Sequence, residues 1–381
     1  MESYSHQSKA KVLKKNAVDR ILMNMIEEIK SGDPARGRAD IPFLLLILDE
    51  YTAKLISSFV TMTDVLNKGI FSVEKLEIGR QKFPNYQAIY FISPTKSSID
   101  LVLKDFEDKG NPQYKRIHIL FSHAVMDSSL SLFACEKLYS RILTCKELNL
   151  SFLCKNKNLF ELGIGNFLDI FSAKADKDKE RDKIATLSER LFTVCSVLNE
   201  FPFIQYQKSS NFCYELALSL NAKLKDFYAG GVAGNIETTR GLMLITDRSL
   251  DVCTPLLHDY SYESLLFDLL RPEEFVVKSN DEKVQPRKME LDENDQIWNK
   301  YKNCHIAEVF EKMSKEASEF CNLIKAKDKG KEQGKGGDKS YKEFDEMRQV
   351  LREAKSLKTK SDIFNFHIES CQTLGSVNNF F

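Results

Sequence analysis

The most informative stretch of the sequence is Gly241–Leu270, GLMLITDRSLDVCTPLLHDYSYESLLFDLL. Its first part, Leu242–Asp247, predicts a buried strand, because a continuous apolar run ends in an acid. Its last part predicts a helix rich in Leu and Tyr. The charged and turn-forming residues of the stretch are Asp247, Arg248, Asp251, Pro255 and His258. We interpret the stretch as a junction between an α/β region and a helical region.

Two interpretations of that junction are open on the residues alone. Asp247, Arg248 and Asp251 could form a catalytic cluster, with His258 as a base. Such side chains are more often a structural ion pair, a cap and a hydrogen-bonded turn where two domains meet. We favour the structural interpretation, because no nucleophile motif or phosphate-binding loop accompanies them.

The composition limits the class of protein. The 381 residues are enough for two or three domains, and 55 basic residues balance 55 acidic ones. The net charge of zero therefore gives no electrostatic argument for nucleic acid as a partner. Nine Cys occur without a CxxC pair, which indicates reduced core thiols. We expect no metal and no cofactor, because potential ligands are not clustered along the chain.

Upstream of the junction, apolar runs alternate with helical patterns, which is typical of a doubly wound parallel sheet. The predicted strands are Phe43–Asp49, Phe71–Leu76, Ala88–Ser93, Ile117–Ser122 and Leu150–Leu153. The predicted helices between them are Tyr51–Leu66, Ser97–Phe106 and Asp127–Lys146. The fold class is therefore α/β, with an N-terminal sheet domain over residues 1–153.

The remainder of the chain predicts two further regions. Residues 154–247 combine long helical patterns with short strands and predict a second α/β region. Residues 248–381 are mostly helical, and a Lys- and Gly-rich segment lies between the helical patterns of 304–326 and 342–373. We interpret that segment as the basic tip of a hairpin.

An enzyme remains an alternative at this point: a doubly wound hydrolase or nucleotide-binding protein would bind its ligand beyond the carboxyl ends of the strands. The chain contains no GxGxxG and no GxSxG motif, and the glycines at Gly230–Gly234 lack the GK[ST] ending of a phosphate loop. The longest apolar run, Ile41–Leu48, has the length of a strand rather than of a membrane span.

Several stretches, in one order along the chain, resemble the SM (Sec/Munc) family of syntaxin-binding proteins. They are ILDEYTAKLISSFVTMTDVLN from Ile47, AIYFISPTKSSIDLVLKD from Ala88, Ile117–Ser122 with the helix behind it, ITDRSLDVCTPLLHDYSYESLLFDLL from Ile245, and LDENDQIWNKYKNCHIAEV from Leu291. The last stretch is most similar to the exocytic branch. The resemblance implies an arch of three domains, in which residues 154–247 form the first half of the second domain and residues 248–381 belong to the helical third domain.

The resemblance also implies a function without catalysis. Members of the family bind a helical syntaxin-type t-SNARE, or an assembled SNARE bundle with its vesicle SNARE, and regulate SNARE assembly in vesicle docking, exocytosis and membrane fusion. We therefore expect an adaptor with these partners rather than an enzyme, without nucleic acid or cofactor. We expect it to be cytoplasmic and to reach plasma or secretory membranes peripherally, through syntaxin.

Two partner-binding sets follow from the motif positions of the family. On the cleft side of the first domain, the matching residues are Asp49, Lys54, Thr61, Glu74 and Arg80. Relatives bind the N-terminal peptide of syntaxin in an apolar pocket with an acidic rim. The residues of this chain that match that pocket are Leu130, Ile142, Cys145 and Glu147. The chain departs from the family at Thr61, where relatives carry Lys, and at Leu130, where relatives carry a larger aromatic residue. Taken alone, each set also fits an ordinary amphipathic surface.

The resemblance finally bears on the C-terminal part of the chain. Because Phe381 falls inside the third domain of the family, we expect a C-terminally truncated SM protein. One alternative is a non-productive fragment that keeps only binding of the N-terminal peptide.

The hairpin with the basic tip corresponds to residues 321–360, and neuronal relatives have a Pro where this chain has Lys355. We expect the hairpin to be extended, because a helix without Pro is free to run straight.

Overall fold

The structure is a computed structural model, and it describes most of the chain. The described residues are 12–27, 29, 44–108, 112–133, 136–165, 167, 176–230, 240–270, 276–277, 287–288, 291, 295–313, 315–316, 318–319, 363 and 365–374. The chain forms two compact units, residues 1–250 and residues 251–381.

A five-stranded parallel sheet is the centre of the first unit. Its strands are β1 (Leu44–Leu48), β2 (Ile70–Lys75), β3 (Phe83–Ile92), β4 (Tyr114–Phe121) and β5 (Ile142–Glu147). They lie in the order β2-β1-β3-β4-β5, and every neighbouring pair is parallel. All five residues of β1 are buried, as expected for a central strand covered on both faces. The predicted doubly wound sheet is confirmed.

Helices connect these strands and cover the sheet. They are α1 (Leu13–Asp19), which continues as a π-helix over Arg20–Glu27, α2 (Glu50–Phe59), α3 (Met62–Asn67), α4 (Lys96–Lys104), α5 (Asp127–Phe133) and α6 (Glu136–Tyr139). We expected one helix over Tyr51–Leu66, but two are present. Val60 is extended at φ −130°, and the Thr61 side chain then caps α3 in a capping box with Asp64. The Thr-x-x-Asp cap starts a new helix at this point instead of continuing the old one.

The fifth strand lies elsewhere than the sequence predicted. We expected a helix over Asp127–Lys146 and the fifth strand at Leu150–Leu153. The helical prediction holds only as far as Tyr139, and of the predicted strand only Leu153 is in a strand, which is not part of this sheet. The chain turns after α6, and β5 pairs with β4 so that Cys145 lies opposite Ile119. Side chains along β5 alternate between half-buried and exposed, the pattern of an edge strand. Its short alternation, ILTCKE, was masked by the helical pattern before it.

The rest of the first unit is built on two long helices. Its elements are β6 (Leu153–Cys154), β7 (Phe160–Glu161), α7 (Lys177–Leu198), β8 (Phe203–Tyr206), α8 (Asn211–Ala229) and β9 (Leu242–Ile245). The chain leaves α7 through Asn199 in the left-handed conformation at φ 50°, and β8 then pairs in parallel with β9. The predicted buried strand at Leu242–Asp247 is shorter than expected, and Leu242 and Leu244 are 63% and 64% exposed. In the described part of the chain β9 pairs only with β8, so its other edge has no strand partner there. The exposed Leu242 and Leu244 lie on one face of β9.

The second unit is mostly helical. Its elements are α9 (Tyr262–Leu269), β10 (Val276–Val277), β11 (Arg287–Lys288), α10 (Gln296–Tyr301) and helical residues 306–313 and 365–374. Its core contains Tyr262, Leu265, Trp298, Val309 and Leu374. The hairpin expected at residues 321–360 lies outside the described residues. Among the helices of the described residues, none is both long and apolar enough to span a membrane.

Candidate functional site

A cavity of about 600 Å³ opens beside β5, at the carboxyl end of the parallel sheet. Open α/β sheets bind their ligands at this end of the strands. The lining residues are Phe121, Ala124, Val125, Leu130, Cys145, Lys146, Glu147, Asn149, Glu189, Phe192, Lys223 and Phe227. One wall comes from β5, α5 and the loop after β4, and the other comes from α7 and α8. We call this feature the β5 cavity.

The floor of the β5 cavity is apolar because two cores meet there. Phe121 belongs to the core of the sheet, and Leu130 packs against that core. Phe192 belongs to a separate core formed by α7 and α8, and Phe227 packs against it. A side chain that enters the cavity would contact both cores at once.

The rim of the β5 cavity carries acidic side chains that hold the loop after β4. Glu147 Oε1 accepts a hydrogen bond from the backbone N–H of Val125 at 3.0 Å. Glu189 Oε1 accepts one from Ala124 at 3.3 Å, and Glu189 Oε2 pairs with Lys223 Nζ at 2.5 Å. Glu147 is exposed, so its carboxylate is also accessible to a ligand.

A polar network lies next to this loop. His123 Nδ1 is 2.8 Å from Ser122 Oγ and 3.4 Å from Ser151 Oγ, and Ser151 Oγ is 3.0 Å from the Tyr51 hydroxyl. Burial lowers the pKa of His123 to about 4, and Arg190 acts in the same direction while Glu189 opposes it. The imidazole is therefore neutral at physiological pH, and the network fixes the loop without adding a charge to the cavity.

Three of the four residues expected in a peptide pocket line the β5 cavity. Leu130, Cys145 and Glu147 come together there, whereas Ile142 packs against the core of the sheet. Burial raises the pKa of the Cys145 thiol, and the neighbouring Glu147 carboxylate raises it further. Cys145 is therefore a neutral apolar group in this wall rather than a reactive thiolate.

Sequence reasoning missed the opposite wall of the cavity. Glu189 and Phe192 are three residues apart on α7, and Lys223 and Phe227 are four residues apart on α8. Such spacings place each pair on one face of its helix, which was the available signal. Nothing in the sequence showed that these two faces turn towards β5.

The cleft residues expected from the resemblance divide into buried and exposed groups. Asp49 is only 2% exposed, and its carboxylate caps α2. Its oxygens accept five hydrogen bonds, from the backbone N–H and side chain of Thr52, the backbone N–H and side chain of Ser93, and the side chain of Ser98. Burial alone would raise the pKa of Asp49, but the bonds from Ser93 and Thr52 outweigh it and lower that pKa.

Arg80 and Glu74 belong to a second internal network. The Arg80 guanidinium pairs with the Asp105 carboxylate and donates to the carbonyl of Leu76 at 2.6 Å, while the Tyr90 hydroxyl donates to the same carboxylate at 2.7 Å. Burial raises the pKa of Glu74, although the nearby Arg80 charge opposes this. The contacts given for Arg80 and Glu74 are therefore all within the sheet domain.

Lys54 and Thr61 are the exposed members of the set. Lys54 Nζ pairs with Glu50 Oε1 at 2.8 Å, and both side chains are mostly in solvent. Thr61 caps α3 as described above. A partner approaching α2 and α3 would therefore meet Lys54 and Thr61 before the other three residues of the set, together with Glu50, the ion-pair partner of Lys54.

The junction residues form turns between the two units. Asp247 Oδ1 accepts from the backbone N–H of Ser249 at 2.9 Å, and Asp251 Oδ1 accepts from Cys253 and Thr254 at 3.1 and 3.0 Å. The intervening 3₁₀ turns are Arg248–Leu250 and Thr254–Leu256, the second with Pro255 near its start, where its missing N–H costs nothing. His258 pairs with Asp268 of α9. Within the described residues, no group of three or more His, Cys, Asp or Glu side chains could hold a metal ion.

Comparison with known proteins places this fold in a family. The model of the Sec1 family matches residues 45–378, and the chain belongs to that family. The chain is 30% identical over 351 residues to protein transport protein sec1 of Dictyostelium discoideum, an alignment that covers 91% of this chain and 56% of the relative. It is 26% identical over 396 residues to the SNARE-interacting protein KEULE of Arabidopsis thaliana, an alignment that covers 99% of this chain and 58% of KEULE. The chain thus spans about half the length of these curated relatives.

Solved structures show the same fold. The Unc18 chain of the Unc18–syntaxin 1 complex from Monosiga brevicollis matches with a TM-score of 0.77 at 24% identity, covering 96% of this chain and 63% of that chain. Sly1p in complex with an N-terminal peptide of Sed5p matches with a TM-score of 0.73 at 20% identity, covering 96% and 61%. The expectation of an SM protein with an α/β sheet domain and a helical region is confirmed.

Proposed function

We propose that this chain is an SM-type adaptor of the exocytic branch. It binds a syntaxin-like t-SNARE and regulates SNARE assembly in vesicle docking, exocytosis and membrane fusion. Its membership of the Sec1 family supports this function, as do solved relatives in complex with a syntaxin and with an N-terminal peptide. The observation that carries the proposal is the β5 cavity, in which apolar side chains surround the accessible carboxylate of Glu147.

The cavity has the chemistry of a peptide site. Burying one large apolar side chain there contributes about 2 kcal/mol. A basic side chain of the peptide can pair with Glu147, whose carboxylate already accepts a backbone N–H. The ion pair between the basic side chain and Glu147 would fix the direction and register of the peptide, while the apolar side chain would supply most of the affinity. This function requires binding and no reaction step.

The remaining expected residues fit a second partner surface. Lys54 and Thr61, with Glu50 beside them, would contact a helical SNARE on the exposed side of α2 and α3. Asp49 caps α2 from inside the domain, whereas Arg80 and Glu74 belong to the separate network around Asp105. We assign residues 1–153, 154–247 and 248–381 to the three domains of the family. The protein would reach membranes through its syntaxin partner, and contacts to the vesicle SNARE would fall to residues 321–360.

Calorimetric titration with a syntaxin cytoplasmic region, with and without its N-terminal peptide, tests the proposal. We expect binding that weakens when the peptide is removed. The variant Glu147→Gln should weaken binding about tenfold, because one charge-assisted pair is lost. Glu107→Gln is the matched control, since Glu107 is an exposed carboxylate of the same sheet domain outside the cavity. Equal affinities with and without the peptide would contradict a peptide site in the β5 cavity.

A further inference from the structure

A basic surface of the first unit has no role in the function proposed so far. It is formed by the start of α1 and by the loop between β6 and β7, and we call it the α1–hairpin patch. Its residues are Lys14, Lys15, Lys155, Lys157 and Leu159. We propose that this patch binds an anionic membrane surface directly, through its lysines and the exposed side chain of Leu159. This contact is additional to recruitment through a syntaxin partner and does not depend on it.

Two hydrogen bonds hold the two segments of the patch side by side. The backbone N–H of Lys14 donates to the carbonyl of Lys157 at 3.0 Å. The backbone N–H of Leu13 donates to Asn158 Oδ1 at 3.3 Å. Lysines that lie far apart in the sequence are therefore neighbours on one surface.

The loop between β6 and β7 is closed by its own hydrogen bonds. The backbone N–H groups of Lys155 and Asn156 donate to the carbonyl of Leu159 at 2.9 and 3.1 Å, and that of Lys157 donates to Asn156 Oδ1 at 2.7 Å. The side chain of Leu159 is nevertheless 58% exposed. Because the backbone around it is already ordered, burying this side chain in a membrane interface requires little further loss of conformational entropy.

The patch concentrates positive charge in a chain whose net charge is zero. Residues 9–15, KAKVLKK, and residues 155–160, KNKNLF, contain lysines and no acid. Lys15 and Lys157 are exposed and Lys14 is half-buried. Among the described residues, no carboxylate forms an ion pair with any of these three lysines.

Two acids lie close to the patch and limit its charge. Lys155 Nζ pairs with Glu161 Oε2 at 3.0 Å, so these two side chains largely neutralise each other. Asp19 is exposed and follows Lys15 by about one turn of α1. The charge available to a partner therefore comes mainly from Lys14, Lys15 and Lys157.

A membrane fits this chemistry better than a nucleic acid does. Sites for single-stranded nucleic acid stack bases on accessible aromatic rings. The aromatic residue of the hairpin, Phe160, instead packs edge to face on the buried Phe152, with 5.8 Å between centroids. Lysines around an exposed aliphatic side chain provide the electrostatic attraction and the shallow apolar insertion of a peripheral membrane contact.

Co-sedimentation of the full chain with lipid vesicles tests the proposal. One set of vesicles contains phosphatidylcholine alone, and the other contains phosphatidylcholine mixed with phosphatidylserine. We expect the chain to sediment with the anionic vesicles and much less with the neutral ones. We also expect salt to release it, because ions screen the attraction between the lysines and the headgroups.

Variants of the patch identify the contact. Replacing Lys14, Lys15 and Lys157 together by Gln should weaken binding to the anionic vesicles about a hundredfold, since each lysine contributes about fivefold. The same three positions changed to Arg keep the charge and should bind as wild type does. Leu159→Ser should weaken binding about fivefold, because it removes the apolar side chain that enters the interface.

The matched control replaces three exposed lysines outside the patch by Gln, with the same change in net charge: Lys115, Lys208 and Lys225. Equal losses in the control and in the patch variant would overturn the proposal, as would a wild-type chain that does not sediment with phosphatidylserine vesicles. If a labelled single-stranded oligonucleotide bound more tightly than the vesicles and Leu159→Ser changed nothing, the patch would be a nucleic-acid site and the proposal would be wrong. Calorimetric affinity for the syntaxin region should be equal in wild type and patch variant, so failure of this proposal is distinct from failure of the proposed function.

Discussion

At the scale of single residues, Asp49 shows how a carboxylate at the end of a strand organises this domain. It follows β1, caps α2 through Thr52, and reaches across to Ser93 at the end of β3 and to Ser98 of α4. One buried side chain thus ties together the elements around the carboxyl end of the sheet. The cost of removing it is set by the donors that would be left unpaired.

We predict that Asp49→Ala lowers the free energy of unfolding by about 3 kcal/mol, because several buried donors lose their acceptor. Urea unfolding of both proteins measures the effect. Asp100→Ala removes an exposed carboxylate of α4 and should change stability little. A loss of similar size in both variants would contradict the role given to Asp49.

The same residue predicts a dependence on pH. The pKa of Asp49 is lowered in the folded state, so its ionised form stabilises the protein above the unfolded pKa of about 3.9. That contribution is lost as the pH falls through the lower, folded pKa. The stability advantage of wild type over Asp49→Asn should therefore be constant near neutrality and shrink below about pH 4. Urea midpoints measured between neutral and acidic pH would show this convergence, and an advantage that grew in acid would refute it.

At the scale of elements, short caps and edges decide where helices and strands begin. The capping box of Thr61 and Asp64 separates α2 from α3, although the apolar pattern runs through both.

We predict that Thr61→Ala destabilises the protein by about 1 kcal/mol, whereas Thr61→Ser, which keeps the capping oxygen, changes stability little. Thermal or urea unfolding distinguishes the two, and equal losses would mean that the cap is not what stabilises α3.

The elements also show what the sequence predicts well and what it does not. The buried strands β1, β3 and β4 stand out because each contains an apolar run of strand length, too short for a typical helix and bounded by polar or turn-forming residues. The edge strand β5 does not, because half of its side chains are polar and its pattern follows a helix directly. The expected residues on the β5 side of the peptide pocket came from the resemblance to the SM family rather than from local sequence patterns. The α7–α8 wall of the pocket depends on the packing of helices far along the chain, which local patterns do not encode.

At the scale of the whole molecule, the second unit has its own polar centre. The Tyr262 hydroxyl is hydrogen-bonded to His367 Nδ1 at 2.8 Å, and His367 Nε2 donates to Asp295 Oδ2 at 2.8 Å. Asp295 also caps α10, and the ring of Trp298 stacks on His367. All four residues are buried, so helical residues 365–374 are fastened to α9 and α10 by this chain of contacts.

We predict that His367→Ala destabilises the second unit selectively, by about 3 kcal/mol, because it leaves a buried carboxylate and a buried hydroxyl without their partner. Trp298 is the only Trp of the chain, so its emission reports on this unit. The emission transition in urea should move to lower concentration, while hydrogen exchange in β1 and β4 stays unchanged. Glu311→Ala, an exposed position of the same unit, is the control. A shift of equal size in both probes would show that the two units unfold together.

The thiol of Cys145 has a practical consequence for anyone who follows ligand binding to this protein. It is exposed in the wall of the β5 cavity, whereas Cys195, Cys213 and Cys371 are buried. Burial raises the pKa of Cys195 and Cys371 to about 12, which leaves them protonated and slow towards electrophiles. Cys253 is exposed as well, Cys304 is half-buried, and Cys135 and Cys321 lie outside the described residues, so these four would first be replaced by Ser. The pKa of Cys145 is raised as well, so labelling needs a mildly alkaline pH at which this accessible thiol ionises. A small environment-sensitive dye attached there would sit beside the ligand, and its emission would change as the neighbouring water is displaced.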